Sequence, residues 1–285
     1  MRGSNMLIDA KNPKNYQIKI MQNRIYALLR QEKRLDGRRP DELRPITITT
    51  NVIEKADGSS LVKMGGTKIL TGIKVELGTP YPDRPNEGVF TINAELLPLA
   101  SASFEPGPPD EHAIELARVV DRCIRESKAI DLEKLVITEG EKVYMLYIDI
   151  YVLDYDGNYF DPALISAVTA VATCNVPRYE LRNGKYEKTG ETFRVSMKTI
   201  PASVMMGVVK DKILVDPTPI EESVLDTSII TGFDSEDNLV SLQKNTTGML
   251  DLNIIDKLLD VGREKVREIR SRIMKVIGDG QEETS

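Results

Sequence analysis

Three arginines within one predicted helix, Arg118, Arg122 and Arg125, are the side chains of this 285-residue chain whose type and spacing could do chemistry. Arginines can grip phosphates through two hydrogen bonds from their planar forks. Much other chemistry is excluded. The chain has one histidine, His112, and no tryptophan, so a histidine pair, a histidine metal cluster or a serine-histidine triad is scarcely available. His112 falls just inside a helix start and reads as a surface residue. Cys123 and Cys174 lie in apolar stretches without metal-like spacing and read as two buried free thiols.

Each of the charged groups also has a plainer reading. Asp216 precedes Pro217, as turn-forming aspartates at strand ends do, and Glu221-Glu222 has the look of a solvated charge run. Over residues 110–128, at about 100° per residue, Leu116, Val119, Val120 and Cys123 group on one side while Arg118, Arg122 and Arg125 project from the other. Glu111, Glu115 and Asp121 share that polar side. Spacing alone therefore favours surface ion pairs worth about 0.5 kcal/mol each.

The elements that must hold these residues follow from periodicity and turn chemistry. Residues 15–33 carry Ile18, Met21, Ile25, Leu28 and Leu29 at helical spacing, an amphipathic helix packed on the body. Ile46, Ile48, Val52 and Ile53 begin a strand region, and residues 59–64 and 67–77 form a hairpin around Gly65-Gly66. A turn-rich loop, residues 78–88, contains Arg84. A strand follows at residues 90–97, then a Pro-Gly-Pro-Pro break and a helix opening at Asp110. Residues 143–153 alternate as a central strand and turn at Asp156-Gly157-Asn158 into a helix of small residues ending near Cys174. The polar stretch 179–192 reads as a link. Beyond it come a hairpin at residues 202–215, strands at 227–232 and 239–242, and a long helix at 249–277. Hairpins plus helices, twice, predict an α+β fold of two similar lobes, each a mixed sheet packed against helices. Residues 1–35 are assigned to an expression-tag remnant, Met-Arg-Gly-Ser, and an N-terminal helical extension. Residues 36–192 are the first lobe and 193–285 the second, which ends in the long helix.

The net charge of −6 argues against a generally basic, nucleic-acid-coating surface, so any such contact is local. With neither a signal-peptide pattern nor an apolar run of about 18 residues, the expected location is the cytoplasm, away from membranes.

The strings RLDGRRPDELRP from Arg34, GGTKIL from Gly65, ELLPLA from Glu95, FEPGPPDEHAIELARVVDRCIRES from Phe104 and ILVDPTPIEES from Ile213 together resemble the RNase PH family. The resemblance covers residues 34–277. FEPGPPDE and IELARVVDR are most similar to the non-catalytic RNase PH-type ring subunit of the archaeal exosome. That likeness implies a hexameric ring of three heterodimers with a catalytic sister, capped by RNA-binding subunits with oligonucleotide-binding-fold or KH domains. The reaction implied for the ring is phosphorolysis of single-stranded RNA from its 3′ end, with no cofactor or metal held by this chain.

Catalytic members of the family place a glycine, a serine or threonine, and an arginine at the turn after the central strand. Here the turn is Asp154-Tyr155-Asp156-Gly157-Asn158-Tyr159-Phe160-Asp161, with no arginine and with extra carboxylates that repel an anion. Catalytic sisters also carry an arginine pair before the first lobe's long helix, where this chain has Pro108-Pro109-Asp110-Glu111. Asp216 matches the first of the family's two carboxylates and Glu222 falls at the second, so both are expected to be vestiges. The resemblance also implies that Arg118 and Arg122 contact RNA phosphates facing the sister's active site, with Arg125 and Arg84 as weaker candidates. Two other readings stay open: an active phosphorolytic exoribonuclease working as a homo-hexamer, and a purely architectural ring subunit without RNA contacts.

Overall fold

The computed structural model describes residues 13–182, 184–246 and 248–282. The tag remnant lies outside the described residues. The chain runs α1 (Pro13–Leu29), β1 (Ile46–Thr50), β2 (Gly58–Met64), β3 (Thr67–Gly78), β4 (Val89–Leu96), α2 (Glu111–Glu126), β5 (Val136–Thr138), β6 (Lys142–Asp154) and α3 (Phe160–Ala172). It continues β7 (Asn175–Arg182), β8 (Lys185–Arg194), β9 (Ala202–Val209), β10 (Lys212–Val215), α4 (Pro219–Glu222), β11 (Thr227–Phe233), β12 (Leu239–Lys244) and α5 (Leu252–Glu282).

The first sheet has the order β1-β2-β3-β6-β4, with β5 also on β6, and the second the order β10-β9-β11-β12. β4 is parallel to its neighbour β6, and the other pairs are antiparallel. Parallel neighbours need a crossover, and α2 lies within it, packed on β4 and on β12 of the second sheet. That placement buries Leu116, Val119, Val120 and Cys123 and leaves the arginine side of α2 outward. Asp110 caps the helix by accepting the Ala113 N–H at 2.9 Å.

The second sheet's two central strands do not alternate: all residues of β9 and β11 are buried. Burial on both faces explains this. All of α3 is buried too, because it packs on β2 and β3 on one side and β9 on the other. Its alanines and serine let the sheets close on it, and Gly58 is needed where β2 approaches, since a Cβ there would stand 2.7 Å from the Ala170 carbonyl oxygen.

Two expectations change. The stretch 179–192 is no bare link: with its flanks it forms the two-stranded ribbon β7–β8, whose paired register runs from Asn175 opposite Arg194 to Arg182 opposite Lys185. Of the side chains described in the N-terminal helix, those of its C-terminal half pack on the body. Ile25 and Leu29 are buried against Val209, Leu214 and Val224, whereas Ile18 is 44% exposed.

Candidate functional site

The turn between β6 and α3 is pinned from both sides. Thr67, at the start of β3, donates to the Gly157 carbonyl at 2.6 Å and accepts the Asp156 N–H at 3.1 Å. Gly157 has φ +80°, and a Cβ there would meet the Pro217 carbonyl oxygen at 2.5 Å, so the turn and the segment carrying Asp216 touch backbone to backbone. Asn158 follows at φ +37°.

The N–H of Asn158 donates to Glu222 Oε1 at 2.7 Å, and the Tyr155 hydroxyl donates to Glu222 Oε2 at 2.5 Å. The chain's own carboxylate therefore stands at the turn's backbone donor. Burial holds Glu222 above the ordinary carboxylate range despite these bonds, and burial together with the Glu222 charge raises Tyr155.

Asp216 is fully buried with φ +51°. Arg44 grips it with two prongs, Nε to Oδ2 at 2.8 Å and Nη2 to Oδ1 at 2.7 Å, and adds its backbone N–H at 3.0 Å. Arg38 Nη1 reaches Oδ2 at 3.1 Å, and Asn158 Nδ2 reaches Oδ1 at 2.8 Å. Burial alone would raise this carboxyl, but the Arg44 guanidinium more than offsets it and holds Asp216 below its usual range. Glu221 is not part of a solvated run: at 1% exposure it forms a two-pronged pair with Arg34 at 2.9 and 2.5 Å. Buried carboxylates need partners, and these have them from within the fold. The donor set does not fit a divalent cation, since both Asp216 oxygens face guanidinium or amide donors and both Glu222 oxygens face N–H or O–H.

The arginines of α2 differ from one another. Arg125 is committed: it bonds Asp121 at 2.6 and 3.0 Å and lies over the Phe90 ring at 4.1 Å. Arg84 stands 3.5 Å from Glu87 on an exposed loop. Arg118 is exposed, and among the described residues it has neither an ion pair nor a hydrogen-bonding partner. Arg122 is half-buried and meets only a neutral acceptor, Gln243 Oε1, at 3.4 Å. The structure thus brings Arg118 and Arg122 together on the wall of an open cleft of about 590 Å³, shared with Glu111, Ile114, Glu115 and Gln243. Asp216 and Glu222 lie in the separate buried network.

Arg34, Arg38 and Arg44 lie in the motif RLDGRRPDELRP, where local sequence gives them no role. A buried carboxylate predicts a cation somewhere, but Arg44 and Asp216 are 172 positions apart and no local spacing links them. Gln243 carried no signal at all, being one amide on an edge strand.

The model of the 3′ exoribonuclease family, domain 1, matches residues 42–177, and that of domain 2 matches residues 199–265. The exosome complex component Rrp42 of Archaeoglobus fulgidus is 46% identical over 93% of this chain and 100% of its own length. Its namesake from Thermococcus gammatolerans is 44% identical over 91% of this chain and 96% of its own length. Among solved structures, a chain of the Archaeoglobus fulgidus exosome with RNA bound to the active site superposes with a TM-score of 0.83 at 46% identity, covering 90% of this chain and 99% of that one. An archaeal exosome core gives 0.79 at 42% identity, covering 92% and 99%. Rice Rrp46, at 17% identity and a TM-score of 0.66 over 86% of this chain and 100% of that one, shares the fold. With both of its domains matched in order and the two-sheet architecture in place, this chain belongs to the 3′ exoribonuclease family, of the RNase PH type.

Proposed function

We propose that this chain is the non-catalytic ring subunit of an archaeal exosome, alternating with a catalytic RNase PH-type sister in a hexamer of three heterodimers that shortens RNA from its 3′ end by phosphorolysis. The observation that carries this reading is the Asn158 N–H given to the chain's own Glu222 carboxylate. Phosphorolysis needs a backbone and cationic cradle for free phosphate. Here the donor is taken, the nearby arginines Arg38 and Arg44 are bound to Asp216, and the turn adds Asp154 and Asp156. The names of the relatives, exosome components, support the assembly.

Within that ring, Arg118 and Arg122 supply phosphate contacts beside the sister's active site. Arginine forks without a carboxylate partner are ready to take phosphate oxygens without reading bases. This favours an RNA-contacting role over a purely architectural one. Arg125 already has its partners, and Arg84 is a loop contact of lower weight. Cap subunits with oligonucleotide-binding-fold or KH domains complete the particle, which works in the cytoplasm. Among the described residues no helix is long and apolar enough to cross a membrane.

The test is nucleoside diphosphate release from a single-stranded oligoribonucleotide in phosphate buffer. The isolated chain is expected to release none, and addition of the catalytic sister to restore release. Phosphorolysis by the pure chain alone overturns the reading.

A further inference from the structure

Glu115 poses a problem for the arginine pair. It lies one helical turn before Arg118 and two before Arg122 on the same side of α2, where an i,i+3 ion pair would ordinarily form. It forms no salt bridge with either. Instead Gln243, on the edge strand β12, donates Nε2 to Glu115 Oε1 at 3.0 Å. Asn245 stands just beyond the end of β12. With its amide nitrogen turned toward the helix, it donates to both Glu115 oxygens at 3.2 Å. The other end of the Gln243 amide, Oε1, accepts from Arg122 Nη1 at 3.4 Å. The two amides thus satisfy the carboxylate without a cation.

We propose that Gln243 and Asn245 are positioning residues for RNA binding: they hold Glu115 on neutral donors, so that Arg118 and Arg122 stay unpaired and available to RNA phosphates. This rests on the reading of Arg118 and Arg122 as phosphate contacts. The physical logic is a choice of counter-ion. A phosphate arriving at a paired guanidinium must first break its ion pair with the carboxylate. At an unpaired guanidinium it displaces only water and condensed counterions. An amide is suited to the task because it presents a donor to Glu115 and an acceptor to Arg122 at once. A lysine or arginine on β12 would quench Glu115 equally well, but it would leave Arg122 unoriented.

The test uses assembled rings with the catalytic sister, assembly being confirmed by size, and measures affinity for a single-stranded oligoribonucleotide across a salt series. Gln243→Ala with Asn245→Ala is expected to weaken binding by about threefold, the scale of one surface ion pair formed in competition, and to make the salt slope shallower. Adding Glu115→Gln to that double variant is expected to restore both affinity and slope, because the released side chain no longer carries charge. Glu115→Gln alone is expected to raise affinity less than it does in the double variant, whereas a merely structural role for β12 would give the same gain in both backgrounds. Rings carrying Arg118→Ala and Arg122→Ala separate the two levels of the argument. If removing the arginines changes nothing, the phosphate-contact reading fails. If it weakens binding while the amide variants bind as the unmodified ring does, or stay weak after Glu115→Gln, the positioning role fails alone.

Discussion

Arg118, Arg122 and Arg125 occupy one helix face, yet among the described residues only Arg125 has a carboxylate in contact, and this difference turns a pattern into a prediction. Replacing Arg118 and Arg122 with alanine in the assembled ring should weaken RNA binding alike for all sequences. It should also lower the salt slope by about 1.4 logarithmic units, at ~0.7 per phosphate contact on a single strand. Affinity and slope equal to those of the unmodified ring would reduce both arginines to surface decoration. Asp216 makes the opposite case. It anchors Arg44, Arg38 and Asn158, so Asp216→Asn leaves the buried Arg44 guanidinium with the half-exposed Asp156 carboxylate, 3.5 Å away, as its remaining ion-pair partner, and should cost about 3 kcal/mol of stability. Urea unfolding of the isolated chain checks this, and a midpoint equal to that of the unmodified chain would show the network to be dispensable.

Asp161, in the first turn of α3, is fully buried and accepts from Ser203 Oγ and the Met205 N–H, each at 2.8 Å, and from Asn158 Nδ2 at 2.7 Å. Burial pushes it up to about 6, with those hydrogen bonds pulling the other way. The folded chain therefore holds this proton more tightly than the unfolded one. The stability it contributes is present below the ordinary carboxylate range and is lost as pH rises through about 6. Asp216 has the reverse sign: its contribution is present above the ordinary range and is lost as pH falls through its depressed folded value. Asp161→Asn should thus gain on the unmodified chain by about 1 kcal/mol between roughly pH 5 and pH 7.5 in urea melts. A constant difference between the two chains would mean that Asp161 titrates normally. Several elements were readable in the sequence because one signal sufficed: Asp110 as a helix cap, Gly65-Gly66 as the hairpin turn, and the alternation of Tyr144, Leu146, Ile148 and Ile150 in β6. The β7–β8 ribbon was not readable, since most of its side chains face solvent and no apolar alternation marks it. The buried carboxylate network was hidden for another reason: its ion pairs join Arg34, Arg38 and Arg44 to residues more than 170 positions away.

The two sheets share one layer of helices: α2, α3 and α5 each pack on strands of both. A single cluster of buried side chains, running from Leu43 through Val168 to Ile273, joins them. Two family domains are therefore one cooperative unit, and calorimetry of the isolated chain should give a single transition with equal calorimetric and van't Hoff enthalpies. Two resolved transitions would show that the lobes melt separately.

The contact between Glu222 and the Asn158 N–H has a consequence best put as a concentration. A carboxylate fixed to the same backbone as its donor competes with free phosphate at an effective concentration in the millimolar range or above. Unlike a soluble inhibitor, it can be neither diluted nor washed away. In this sense the chain carries its own permanently bound mimic of the attacking phosphate. Removing it by a single substitution would free the Asn158 N–H but leave Arg44 and Arg38 still bound to Asp216. On the proposed reading, phosphorolysis by this chain would require at least two changes together, an eviction and a new cation, and neither is useful without the other.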